Sequence, residues 1–165
     1  MSGPHSSQGY RIRRATNADL PSLGRLGASL LRSHFAFDPL RFMAPRDDPE
    51  EGYAWFLGHQ LGEEDVAVFV AEKSGDIAGY VYVGLEPLSW KELRDAAGFI
   101  HDVVVDERAR RDGVATALVE AATAWLRERG APRVMLWTAE QNEAAQRLFE
   151  RLGFRRTMIE MTKEL

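Results

Sequence analysis

Apolar residues recur along this chain in two periods, and the alternation of those periods predicts its elements. "YRIRRAT" alternates with a period of two and reads as a first strand. "TNADLPSLGRLGASLLRSHF" follows with helical spacing, Leu20, Leu23, Leu26, Leu30 and Leu31 forming the apolar stripe and Thr16 or Asn17 the cap. "PRDDPEEGYAWFLGHQL" reads as a second helix, with acids crowding its positive end. "VAVFVAEKSGDIAGYVYVGLE" is a hairpin, two β-rich runs about a Ser-Gly-Asp turn. "FIHDVVVD" is nearly continuously apolar and reads as a strand buried on both faces. A helix from Val114 to about Arg129 carries Val114, Leu118, Ala122 and Trp125 on one side and stops at Gly130. "RVMLWT" is a further strand, "NEAAQRLFERLGF" a short amphipathic helix, and "FRRTMIEMTKEL" a last strand. The order β-α-α-β-β-β-α-β-α-β predicts an α/β or α+β domain with a mixed sheet. The strand-helix-strand unit from residue 98 to 138 implies a right-handed parallel crossover.

At 165 residues the chain is long enough for one domain with a real core. We read residues 1–9, "MSGPHSSQG", as a flexible polar tail and residues 10–165 as that domain. Cysteine is absent, which removes disulfides, thiolate metal sites and a cysteine nucleophile together and agrees with a cytoplasmic location. The net charge is −4 with no sustained basic stripe, so no nucleic-acid surface is expected, and no apolar run suggests a membrane span. His34 and His59 belong to no metal-ligand cluster, so no metal is expected, and His34 with Asp38 reads as helix-end chemistry.

The most informative stretch is "VVVDERARRDGVATALVE", residues 103–120. A strand ends, an arginine-rich turn follows, and a helix begins at Gly113-Val114-Ala115. The first N–H groups of such a helix have no internal acceptor and, with the helix dipole, make an anion site. Glycine lets a phosphate approach the backbone closely. No G-x-G-x-x-G or P-loop pattern competes with this reading.

Arg110-x-x-Gly113-x-Ala115 after an apolar strand, with Asn142 one strand-helix unit downstream, resembles the GNAT (GCN5-related) N-acetyltransferases. The resemblance covers roughly residues 66–160 in element order. It implies a mostly antiparallel sheet with flanking helices and a splayed central parallel pair, and acetyl-CoA as co-substrate. It places the pyrophosphate on Arg110, Arg111, Asp112, Gly113, Val114 and Ala115. The pantetheine arm would lie along the main chain of Val103, Val104 and Val105, with Asn142 touching the arm and a backbone N–H of Val103 or Val104 meeting the oxyanion. The position commonly held by a proton-donating tyrosine is Phe149. Homodimers are common in such proteins.

With no cysteine and no G-x-S-x-G elbow, direct attack of an amine on the thioester is the simple route. A lysine-like amine has a pKa near 10.4, so a base is needed at neutral pH. Asp102, an acid inside an apolar strand, is the leading candidate for catalysis, with His101 on the opposite face, Glu86 and Glu140 behind it. Asn142 serves equally well as a helix cap. Tyr80 or Tyr82 could stand in for the missing acid. Phe35, Phe37, Phe42, Tyr53, Trp55 and Phe56 could line an acceptor slot, with Trp90 flanking it and Asp47, Asp48, Glu50 and Glu51 drawing in a cation. The acceptor is then a small-molecule amine or a peptide N-terminus; a non-catalytic acyl-CoA-binding module is the alternative that Phe149 suggests.

Overall fold

The computed structural model describes residues 9–165, so the tail read from the sequence lies, but for Gly9, outside the described residues. Strand β1 (Arg11–Arg14) leads through a 3-10 turn into helix α1 (Leu20–Phe37), and α2 (Pro49–Gln60) follows. Strands β2 (Val66–Lys73), β3 (Asp76–Glu86) and β4 (Ala97–Val105) come next, then α3 (Val114–Glu128), β5 (Val134–Leu136) and α4 (Glu143–Arg151). The sheet runs β1-β2-β3-β4-β5, antiparallel throughout except for the parallel pair β4 and β5. No helix among the described residues is long and apolar enough to cross a membrane.

Local chemistry accounts for most boundaries. Thr16 and Asp19 form a capping box at the entry to α1. Ser74 and Gly75 both have positive φ and close the β2–β3 hairpin in two residues, as a strand-matched turn requires. Gly153 has φ +90, and the N–H groups of Gly153 and Phe154 donate to the carbonyls of Glu150 and Phe149, a Schellman closure of α4.

One face of the sheet packs Val81, Val83 and Ile100 against Leu118, Val119, Ala122 and Leu126 of α3, with Phe149 of α4 in the same cluster. The other face packs Val68, Val70, Tyr80 and Val104 against Leu23 and Leu26 of α1 and Leu57 of α2. Helices α1 and α2 meet without a spacer. A Cβ on Gly27 would overlap the Tyr53 ring, and one on Gly24 would overlap the Glu50 carbonyl.

The last strand read from the sequence does not form. Residues 155–165 have no assigned strand and are exposed, although Met158, Ile159 and Met161 are each at least 80% accessible. The segment is held instead by side chains: Arg156 donates to Gln146 at 2.7 Å, and Arg41 on the α1–α2 loop donates twice to Glu160. Strand propensity needs a partner edge, and this segment pairs with none in the single chain.

Candidate active site

Strands β4 and β5 share only the pairs Gly98↔Val134, Phe99↔Met135 and Ile100↔Leu136. Beyond Ile100 strand β4 runs on to Val105 while β5 has ended, so the β5-facing edge of β4 has no strand partner from His101 onward. The divergence coincides with a β-bulge. Tyr82 faces Asp102 and Val83 faces Ile100, leaving His101 as the inserted residue.

The bulge corrects one expectation. Adjacent residues on a regular strand point to opposite faces, but His101 and Asp102 share the α1/α2 face. The His101 ring packs against Tyr82 and Phe99, and Asp102 bonds to Tyr80 of that same face. His101 also meets Glu86, Nε2 to Oε1 at 3.1 Å.

An opening of about 340 Å³ forms where the strands part. Its floor is Ile100 to Val103 of β4, and Leu136 to Thr138 at the end of β5 form one wall. Asn142, Ala145 and Phe149 of the α4 segment close the far side. Leu30, Leu31 and His34 of α1, the loop residues Arg41 to Met43, and Tyr53 of α2 make the near side.

Asp102 is the charged centre of this space. Its Oδ2 accepts the hydroxyls of Tyr53 and Tyr80, each at 2.9 Å. Burial pushes its carboxyl above the usual range, and the two hydroxyls and nearby His101 and His34 only partly oppose that. The tyrosines are raised in turn, by burial first and then by the Asp102 charge, so they remain donors. Tyr82 is pushed up to about 12 for the same reasons and donates to Gln60 Oε1 at 3.0 Å. With their hydroxyls committed and neither residue lining the opening, Tyr80 and Tyr82 are not placed to stand in for an acid.

Other residues sort clearly. Asn142 caps α4, its Oδ1 accepting from the Ala145 N–H at 3.2 Å, and it also lines the opening. Phe149 is 8% exposed, packs edge-on to Phe154 and presents to the same space. Val103 reaches the opening; Val104 packs toward α1 and α2, and Val105 toward α3. Arg110 to Ala115 lie past the end of β4, where Gly113 (φ +77) caps α3 and Arg111 (φ +73) precedes it. The Arg110 and Asp112 N–H groups turn back onto Glu107 and Ala109, so the first N–H groups of α3 are the ones that project.

Of the expected acceptor residues, Phe42 and Tyr53 line the opening. Trp55 and Trp90 are surface residues at 66% and 84% exposure, Asp48 caps α2, and Glu50 pairs with Arg32. Glu86 and Glu140 do not line it. The sequence reading missed His34, Arg41 and the Gly24/Gly27 contact, since each depends on how α1 meets α2. The i, i+3 glycine pair on an apolar helix face was the one available signal. Among the described residues, no cluster of three or more His, Cys, Asp or Glu could hold a metal.

Comparison with known proteins decides the family. Residues 30–154 match the acetyltransferase (GNAT) family. The chain belongs to that family. An uncharacterized N-acetyltransferase of Methanocaldococcus jannaschii is 28% identical over 88% of this chain, which spans 60% of that relative's length. An N-alpha-acetyltransferase of Sulfurisphaera tokodaii is 29% identical over 91% of this chain and 83% of its own. The crystal structure of an aminoglycoside acetyltransferase from a soil metagenomic sample, in complex with trehalose, superposes with a TM-score of 0.66 at 19% identity, covering 95% of this chain and 97% of the other. At that identity the likeness speaks for the fold. The mixed sheet with one parallel pair is the GNAT architecture that the sequence implied.

Proposed function

We propose that this GNAT protein transfers an acetyl group from acetyl-CoA directly to a primary amine of a small molecule or a peptide N-terminus. The observation that carries the reading is Asp102, a carboxylate at the floor of an opening created by the β4–β5 divergence. The thioester of acetyl-CoA supplies the activated acetyl group. The chain's own features fit such a co-substrate: a helix N-terminus with a positive-φ glycine for a pyrophosphate, and an unpaired β4 edge for an amide-bearing arm. Arg110, Arg111, Asp112, Gly113, Val114 and Ala115 would hold the phosphates. The main chain of Val103, Val104 and Val105, with Asn142 and Phe149, would flank the arm. A backbone N–H of Val103 or Val104 would meet the developing oxyanion. The Asp102 carboxylate favours a cationic acceptor, and the cysteine-free composition suits the cytoplasm. Titration with acetyl-CoA, followed by thiol release with polyamines, amino-acid amides and short peptides, tests the reading. No binding of acetyl-CoA would sink it.

Phe149 bears on how the thiolate leaves. A thiol with a pKa near 8.5 departs tolerably without protonation, so its replacement by a donor helps only modestly. Phe149→Tyr is expected to raise kcat by about tenfold, below the usual 10²–10⁴ range for acid catalysis. An unchanged or lower kcat, with acetyl-CoA affinity intact, would count against a donor at this position.

We also propose a homodimer in which residues 155–165 of one protomer pair with the open β5 edge of its partner. The apolar exposure of Met158, Ile159 and Met161 and the single-sided pairing of β5 support this, since reciprocal exchange would satisfy both. Light scattering is expected to give a dimer for the full chain and a monomer for a chain ending at Phe154. A monomer in both cases refutes the exchange.

A further inference from the structure

We propose that His34 takes the proton from the acceptor ammonium, while Asp102 holds that ammonium in place. This rests on reading the opening as the acceptor site of an acetyltransferase. Nδ1 of His34 lies 2.9 Å from the carbonyl oxygen of Leu30, one turn earlier on α1. A carbonyl oxygen only accepts, so Nδ1 carries a hydrogen, and in the neutral ring Nε2 holds the lone pair. Edge contacts with Phe37 and Phe42, at centroid distances of 5.8 and 4.9 Å, fix the ring plane. His34 lines the same opening as Asp102.

Asp102 is suited to a different task. Both tyrosine hydroxyls go to Oδ2, and Oδ1 has no hydrogen-bond partner among the described residues. An ammonium can donate there. A carboxylate beside an ammonium stabilises its charged form, which opposes loss of the proton. Holding and deprotonating therefore call for separate groups, and imidazole is the side chain whose charge ordinarily changes near neutral pH. The charged and titratable groups that share the opening with His34 are Arg41 from the loop, Tyr53 from α2, and His101 and Asp102 from β4. Arg41 is paired with Glu160.

The step balances as follows. One ammonium proton passes to Nε2, leaving a neutral amine. The amine nitrogen bonds to the thioester carbonyl carbon, and the carbon–sulfur bond breaks with its electron pair going to sulfur. The second surplus proton on nitrogen neutralises the thiolate, and the imidazolium returns its proton to solvent.

The test compares wild type with His34→Gln and His34→Asn, using one strongly basic primary amine and one weakly basic amine already neutral at pH 7. Acetyl-CoA affinity is measured in parallel to show that each variant is folded. With the basic amine, kcat/KM is expected to fall about 10²-fold. With the weakly basic amine the loss is expected to be a few-fold. Equal losses with both amines in a variant that binds acetyl-CoA would overturn the assignment to His34 and leave the acetyltransferase reading standing. A wild type that binds acetyl-CoA and acetylates neither these amines nor any other acceptor offered would overturn both.

Discussion

Asp102→Asn is expected to lower kcat/KM for a cationic acceptor about ten- to a hundred-fold, the worth of a hydrogen bond to a charged group, and to stabilise the fold wherever the wild-type carboxyl is ionised. The amide oxygen can accept both tyrosine hydroxyls, as Oδ2 does, so the packing of Tyr53 and Tyr80 survives. Burial holds the folded carboxyl above its ordinary value of 3.8. The folded state therefore binds this proton more tightly than the unfolded chain does. The associated stability is fully present below the unfolded value and is lost as pH rises through the folded one. Above the folded value wild type carries that loss and the amide does not. The Tm gap in favour of the variant should widen as pH rises from the unfolded value through the folded one, and level off above it. A gap that narrows with rising pH would contradict the account. Stability and activity then move in opposite directions at one residue, as expected of a buried charge kept for function.

Gly113→Val is expected to weaken acetyl-CoA binding by about 10²-fold, through lost hydrogen bonds to charged phosphate oxygens. At φ +77 a side chain is strained by about 1–2 kcal/mol, and relief of that strain shifts the backbone from which the first N–H groups of α3 project. Gly130→Val is the control: Gly130 has φ +78 just beyond the other end of α3, with nothing near its Cβ position. Both variants should lose similar stability, but only Gly113→Val should lose acetyl-CoA affinity when calorimetry is used to measure it. Equal affinities in the two variants would remove the anion seat from the start of α3.

The elements most legible in the sequence were those specified locally. The hairpin, the Val114–Glu128 helix and the Asn142-capped helix carry their own periodicity and punctuation, and each lies where that pattern puts it. The burial of Asp102 was legible as well, because an acid within an apolar strand has few other places to be. The faces of His101 and Asp102 were not, since a bulge depends on how two strands register and not on either strand alone. His34 with Asp38 reads as helix-end chemistry, and His34 does lie in the last turn of α1 with the Asp38 N–H donating to its carbonyl; the residues of β4 and the α1–α2 loop that share its opening are not visible from that spacing. The final strand was misjudged for the opposite reason. Its composition is strand-like, but among the described residues it pairs with no strand.

Gly24 and Gly27 have a consequence for how the site could diversify. With no side chain between α1 and α2 there, the height of Tyr53 above the sheet is set by the main chain of α1. His34 rides on that same helix, two turns further along. The two helices thus pack as one unit that carries both Tyr53, bonded to Asp102, and the His34 imidazole opposite β4. If the opening is the proposed acceptor site, substitutions that shift α1 and α2 together would widen or narrow its entrance without changing the spacing between the groups they carry. On the proposed reading, acceptor choice is then separable from the placement of His34 and Asp102.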